Sequence, residues 1–228
     1  MSAPWSNARV TQGPTIRRID DPDEEGPDVR LAEARDVPRI AATLTVALAD
    51  SRWTRWALPD DGRMQRLTRL HELDAGHRGV STRSAWVTDD VDAVAVWEPP
   101  AGAEGTAPLP ADVRTAMAGE LPYLSAHRIS TVRDTTTLIG SHRPEQPHWW
   151  LLHLGVRPSS RRRGLAAAVL APAIVRCDEE QTVAAAAVYS WANTRFLRGF
   201  GFEVSAELRT TDDELPVWVL VRQPLPAR

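Results

Sequence analysis

The stretch Val156–Ala166, V-R-P-S-S-R-R-R-G-L-A, carries residue types that can hold a phosphate group. An apolar run, His148–Gly155, precedes it and an alanine-rich run to Glu180 follows. That order predicts a strand, a cationic turn with a glycine, and then a helix. Free N–H groups and the positive dipole end at a helix N-terminus favour an anion. Arg161, Arg162 and Arg163 add charge to the same turn. Gly164 and the small Ala166 let a phosphate approach the backbone. The spacing is neither G-x-x-x-x-G-K-[ST] nor G-x-G-x-x-G. The turn predicts a pyrophosphate site; taken alone, the same six residues would also fit a basic surface turn.

The elements that must position this turn follow from the hydrophobic pattern. Val29–Ala32 reads as a first strand. Asp36 reads as an N-cap with Pro38 in the first turn, and the helix runs to about Ala49. Trp53 and Trp56 fall in a loop or short helix, and Gly62–Ala75 is a second helix. Ser84–Thr88 and Ala93–Trp97 form a hairpin. Pro110–Gly140 gives two helices broken at Pro122, and His148–Val156 is the long central strand. Gly164–Glu180 is the main helix, disturbed at Pro172, because an interior proline removes a hydrogen bond. Val183–Tyr189 is a strand buried on both faces, Thr194–Gly199 a short helix, and Gly201–Leu208 and Pro216–Arg222 the closing strands. This is an α/β order with a mixed central sheet. Residues 1–27, with four prolines and an acidic cluster, read as a disordered tail, and 28–224 as a single domain.

The net charge of -3 does not mark a nucleic-acid binder. All 27 basic residues are arginine, a coding bias of the kind found in GC-rich bacteria. The single cysteine, Cys177, cannot form an internal disulfide and reads as a small buried hydrophobe. No run reaches the roughly 18 apolar residues of a membrane span, and no signal-peptide stretch opens the chain, so the expectation is a cytoplasmic protein.

Arg161–Ala166 resembles the acyl-CoA signature of the GNAT acetyltransferases, [Q/R]-x-x-G-x-[G/A], with the Val156-x-Pro158 lead-in of that superfamily. Further stretches resemble the puromycin N-acetyltransferase group. These are Val29–Ala32 with Arg35–Arg39, Asp90–Trp97, His142–Trp149 (H-R-P-E-Q-P-H-W), Asn193–Phe196, and Gly201-Phe202. The resemblance implies the GNAT fold, a mixed central β-sheet with splayed central strands flanked by helices. It implies acetyl transfer from acetyl-CoA to the amine of a small molecule by direct attack on the thioester, helped by proximity and carbonyl polarisation. By position, Leu154, Gly155 and Val156 would hold the pantetheine arm. Arg161, Arg162, Arg163, Gly164, Leu165 and Ala166 would hold the pyrophosphate, and Asn193 would sit beside the pantetheine.

The pattern departs from that family where its thiolate-protonating tyrosine should stand: this chain has Leu197. Arg195 replaces a proline of the same motif, and the usual acidic residue on the preceding strand is absent. Tyr189, eight residues before Leu197 on a strand, is not placed to substitute. Water can protonate a thiolate of pKa near 8–9, or another donor can serve. The alternative is a catalytically degenerate GNAT-fold protein that binds acyl-CoA as a sensor or partner. For a base, regular alternation puts His148, Trp150, Leu152 and Leu154 on one strand face and Trp149, Leu151 and His153 on the other. His148 is the candidate on the first face, and Glu98, at a strand end, is a second; a solvated turn carboxylate is the plainer reading of Glu98. His153 reads as a satisfied core histidine. Trp53 and Trp56 read as core, with stacking on a flat acceptor as the other use, and Trp191 stands where the cleft bends around the thioester. No His/Cys/Asp cluster has metal-ligand spacing, so no metal is expected. The expected partners are a small-molecule amine, no nucleic acid and no membrane, with a homodimer left open.

Overall fold

The computed structural model describes residues 27–226, so the expected tail lies almost entirely outside the described residues. In chain order the elements are β1 (Val29–Leu31), α1 (Val37–Leu48), α2 (Arg52–Ala57), α3 (Arg63–Leu70), a π-helical segment (His71–His77), α4 (Arg78–Ser81), β2 (Ala85–Thr88) and β3 (Ala93–Glu98). Then come α5 (Ala111–Leu124), α6 (Ile129–Gly140), β4 (His148–Val156), α7 (Leu165–Glu179), β5 (Val183–Val188), α8 (Trp191–Arg198), β6 (Glu203–Arg209) and β7 (Pro216–Arg222). The strands form one seven-stranded sheet in the order β1-β2-β3-β4-β5-β7-β6. Only β4 and β5 run parallel; every other neighbouring pair is antiparallel.

β5 is a run of small apolar residues because both its faces are covered. Ala184, Ala186 and Val188 join Val169, Leu170, Ala173 and Cys177 of α7 in one core. Ala185 and Ala187 face Trp150, Val217 and Val219 in another. Cys177 is fully buried there, and burial pushes its thiol up to about 12. The Ile40 and Leu44 face of α1 packs on Val87, Val94 and Val96, on the same side of the sheet as the π-helical segment.

Several local expectations are corrected. Asp36 does stand at the N-cap of α1 with Pro38 in the first turn, but its side chain does not cap the helix; its carboxylate closes a short 3-10 turn by accepting from the Glu33 N–H at 2.8 Å and from both Arg30 Nη atoms at 2.6 and 3.0 Å. The helix expected to stop at Ala75 continues through the π turn to Ser81. Gly76 and Gly79, in the continuation, are close-approach positions: a Cβ at Gly76 would lie 2.8 Å from Val37 Cγ1 and one at Gly79 2.8 Å from Ala85 Cβ. Pro122 lies within α5, in its last turn, and the break falls at Ala126, whose φ is +47°. α7 runs unbroken through Pro172, because burial of Val169, Leu170, Ala173 and Ile174 outweighs one lost backbone bond. α8 starts three residues earlier than expected, since the Ser190 hydroxyl accepts from the Asn193 N–H and caps it.

β4 holds the main departure from regularity. Val96 pairs with His153 and Trp97 with Leu151, so Leu152 is an extra residue. The bulge reverses the face of every later residue of the strand. Trp149, Leu151, Leu154 and Val156 all pack toward α7, whereas His153 turns to the opposite side. Regular alternation puts His153 with Trp149 and Leu151, and Leu154 with Trp150, so this expectation is corrected too. Past the bulge, α1 presses directly on Gly155, where a Cβ would meet Leu44 Cδ2 at 2.8 Å and Ala47 Cβ at 3.0 Å. Gly155→Val should therefore destabilise the fold by about 1–3 kcal/mol in urea unfolding, as overpacked cores do. An unchanged midpoint would show that α1 does not bear on β4 here.

Candidate active site

The parallel pairing of β4 with β5 covers only His148–Leu151 against Val183–Ala186. Beyond it, His153–Val156 keep β3 on one side, while Ala187 and Val188 keep β7. The two central strands therefore part, leaving the backbone of Leu154 and Val156 without a strand partner on that side of β4, where the Val156 carbonyl meets only Arg161 Nε at 3.5 Å among the described residues. Unpaired backbone groups are tolerated only where water or a ligand reaches them. A ligand arm carrying amide groups could add to this edge as a strand does.

The edge leads into the cationic turn. Arg157–Gly164 contains two left-handed residues, Arg162 at φ +64° and Gly164 at φ +78°. Left-handed residues in a turn gather N–H groups on a concave side that suits anions. A Cβ built at Gly164 has nothing within 4 Å, so the space beside the backbone is open. The first bond of α7 runs from the Ala168 N–H to the Gly164 carbonyl at 3.1 Å, so the N–H groups of Leu165, Ala166 and Ala167 precede the helical ladder. Arg161, Arg162 and Arg163 are exposed. Arg161 is turned back, donating from Nη2 to the Ala47 carbonyl at 3.0 Å, and Arg162 and Arg163 make no hydrogen bond among the described residues.

The turn is fastened to the β2–β3 hairpin through Asp92. Its carbonyl accepts from the Arg157 N–H at 2.8 Å. Its carboxylate lies 3.2 Å from Arg157 Nε and accepts from the buried Ser160 hydroxyl. Thr43 Oγ1 accepts from Arg157 Nε at 3.0 Å and donates to the Val91 carbonyl at 2.6 Å. Val91 is itself left-handed at φ +56° and wholly buried. That conformation is unfavourable for a β-branched residue, so these contacts must hold it.

The individual candidates fall in different places. Asn193 lies exposed in the first turn of α8, next to the split. Leu197 is 2% exposed and packs in the core beside Val188, Phe202 and α7. Tyr189, just past β5, packs on the opposite side with Trp53, Trp56 and Leu215. It stands at the mouth of the split rather than inside the strand, and burial pushes its phenol well above the ordinary range. His148 pairs with Val183 at the closed end, about 13 Å of strand before Leu152, and its Nδ1 faces the Gln146 carbonyl at 2.9 Å. Glu98 is paired at 2.6 Å with Arg143, whose guanidinium stacks on Trp150. The structure brings neither of these two to the split. Trp191 is 47% exposed and packs against Trp218, on the α8 side of the sheet.

On the side facing α1 to α6, the β6–β7 loop closes over α2. Trp56 Nε1 donates to both Asp212 oxygens at 3.2 and 3.0 Å, and Arg128 Nη2 reaches Asp212 at 2.5 Å. Burial opposes the Asp212 charge, but hydrogen bonds from Thr210 and Trp56 and the Arg128 charge outweigh it and keep the carboxyl below its usual range. Sequence reading also misses the partner of His153: Asp74 Oδ2, 2.8 Å from Nε2 and carried by the π-helical segment. Burial works against ionised Asp74, and His153 and Arg78 overcome it. His71 lies edge-on to His153 at 5.3 Å and takes Thr45 Oγ1 at 3.2 Å on Nδ1.

Residues 124–202, which span α6, β4, the turn, α7, β5 and α8, match the model of the acetyltransferase (GNAT) family. Among solved structures, the chain resembles a histone acetyltransferase HPA2 and related acetyltransferase from Corynebacterium glutamicum (TM-score 0.64, 21% identity, 89% of this chain and 98% of that one). It also resembles a putative arylalkylamine N-acetyltransferase of the yellow fever mosquito (0.52, 12%, 86% of each). A third is a Drosophila melanogaster polyamine N-acetyltransferase (0.50, 16%, 86% of this chain and 99% of that one). The seven-stranded mixed sheet with parting central strands is the GNAT fold.

Burial, reinforced by His153, holds His71 well below its ordinary pKa of 6.5. Below that pH the unfolded chain binds a proton that the folded chain refuses, so stability falls as pH drops. Urea unfolding between pH 7.5 and 5 should show this decline, and His71→Gln should flatten it by up to about 1.4 kcal/mol per pH unit. Equal slopes for the two proteins would contradict the assignment.

Proposed function

We propose that this chain is a GNAT N-acetyltransferase that transfers an acetyl group from acetyl-CoA to the amine of a small molecule. The observation that carries the reading is the open edge of β4 running straight into an arginine turn over the start of α7. The residues fit the donor. Leu154 and Val156 offer backbone groups for a pantetheine arm, and the N–H groups from Arg163 to Ala166 offer a cradle for a pyrophosphate, with Gly164 giving close access. When bound, acetyl-CoA supplies an activated acyl carbon. The amine forms a C–N bond to that carbon, the C–S bond breaks, the thiolate takes a proton, and the new ammonium loses one to water. The split strands hold the reacting atoms in line, which is the main source of rate. Such a donor is an intracellular metabolite, so the reading puts the protein in the cytoplasm.

Leu197 has no proton to give. Tyr189 supports the missing role better: a phenol carries its proton through the neutral range, and this one follows directly on the end of β5, where the strands part. Tyr189→Phe is expected to lower kcat by about tenfold or more, within the usual reach of general-acid catalysis, with the KM for acetyl-CoA unchanged. An unaltered kcat would return the proton to water.

Thiol release from acetyl-CoA against a panel of amines tests the function itself. Release with an amine is expected, and Gly164→Asp should raise the KM for acetyl-CoA at least about tenfold by placing a carboxylate in the cradle. Binding of acetyl-CoA without release to any amine would favour the acyl-CoA sensor, a reading supported by the buried leucine at 197. No binding would remove both.

A further inference from the structure

Resting on the acetyltransferase reading, a cleft beside the split indicates what kind of amine enters. Its volume is about 390 Å³, and Arg52, Arg55, Trp56, Glu214, Leu215 and Pro216 line it. Its place follows from register. Val188, the last residue of β5, pairs with Trp218, and Pro216 lies two residues further along β7, beside Tyr189 where β5 leaves the sheet. Trp56, Leu215 and Tyr189 pack in one cluster. The cleft therefore lies beside the cluster that includes Tyr189, on the side of the sheet opposite α7.

Its charges are unequal. Its lining carries two guanidiniums, Arg52 and Arg55, against one carboxylate, Glu214, which lies 3.1 Å from Arg128, a residue it shares with Asp212 at 2.5 Å. Among the described residues Arg55 pairs only with Asp50, at 2.8 Å, and Asp50 is 90% exposed, so water weakens that pair. Arg52 is exposed and makes no ion pair among the described residues. The remaining walls, Trp56, Leu215 and Pro216, are apolar. A guanidinium fork over an apolar floor suits a carboxylate on a hydrophobic skeleton and repels a second ammonium.

We infer that the acceptor is an amine that also carries a carboxylate on an apolar body, with Arg52 as the residue that binds its acid group. Matched pairs differing only in the carboxylate test this: phenylalanine against phenethylamine, tryptophan against tryptamine, with agmatine as a dication. Each is assayed by thiol release and, separately, by quenching of tryptophan fluorescence in the protein without acetyl-CoA. The carboxylate-bearing member of each pair should win by about tenfold in kcat/KM or in Kd, the scale of one charge-assisted hydrogen bond. Arg52→Glu should bring that ratio to one or below. Equal members, preference for the simple amines or for agmatine, no binding by any, or a ratio untouched in Arg52→Glu would each overturn the proposal. Because the fluorescence arm needs no turnover, the cleft's preference is decided even if the transfer reaction fails.

Discussion

β4 has a hydrogen-bonded neighbour on its β3 side as far as Val156, but on its β5 side only to Leu151. A strand in the middle of a sheet that loses one neighbour midway exposes peptide groups that cannot simply be buried. Something wet or something bound must lie against them. The core respects this constraint. Trp149 and Leu151, in the paired half, are buried, while Leu152, His153, Leu154 and Val156 are only half-buried.

The open end would be poorly defined if β4 were held by β3 alone. α1 packs so closely on Gly155 that no side chain fits between them, and Arg161 ties the far side of the turn to the last turn of α1. Asp92 draws Arg157 and Ser160 to the hairpin. A left-handed Val91 is the local cost of bringing the Asp92 backbone and side chain to bear on the turn together, and Thr43 and Thr88 hold the hairpin in that shape. Strain here sits one layer behind the arginine turn and fixes its form; a turn held in advance costs less ordering for any ligand it takes.

Much of this was legible in the sequence, because short-range patterns encode it. The bounds of β4, the glycine-bearing arginine turn, the helix after it and the doubly buried alanine strand all follow from periodicity, charge and residue size. The arrangement of side chains around the split was not. One inserted residue, Leu152, reverses the face of everything after it, and no composition signal marks a bulge at the Leu151-Leu152 pair. The partner of His153 is 79 residues away in sequence, on a π turn at the end of the helix expected over Gly62–Ala75. His148 and Glu98 are attractive by residue type and parity, but they belong to the closed end of the sheet, where Glu98 pairs with Arg143. Tyr189 has the pattern of a strand residue; only the early start of α8 at its Ser190 cap shows that β5 ends just before it.

The most direct test is amide hydrogen exchange with and without acetyl-CoA. The account predicts new protection at the free edge of β4, in Leu154 and Val156, and in the turn from Arg163 to Ala166, with β1 and β2 unaffected. Protection confined to other elements, or none at saturating acetyl-CoA, would contradict the claim that the parted strands and the arginine turn form the acyl-CoA site.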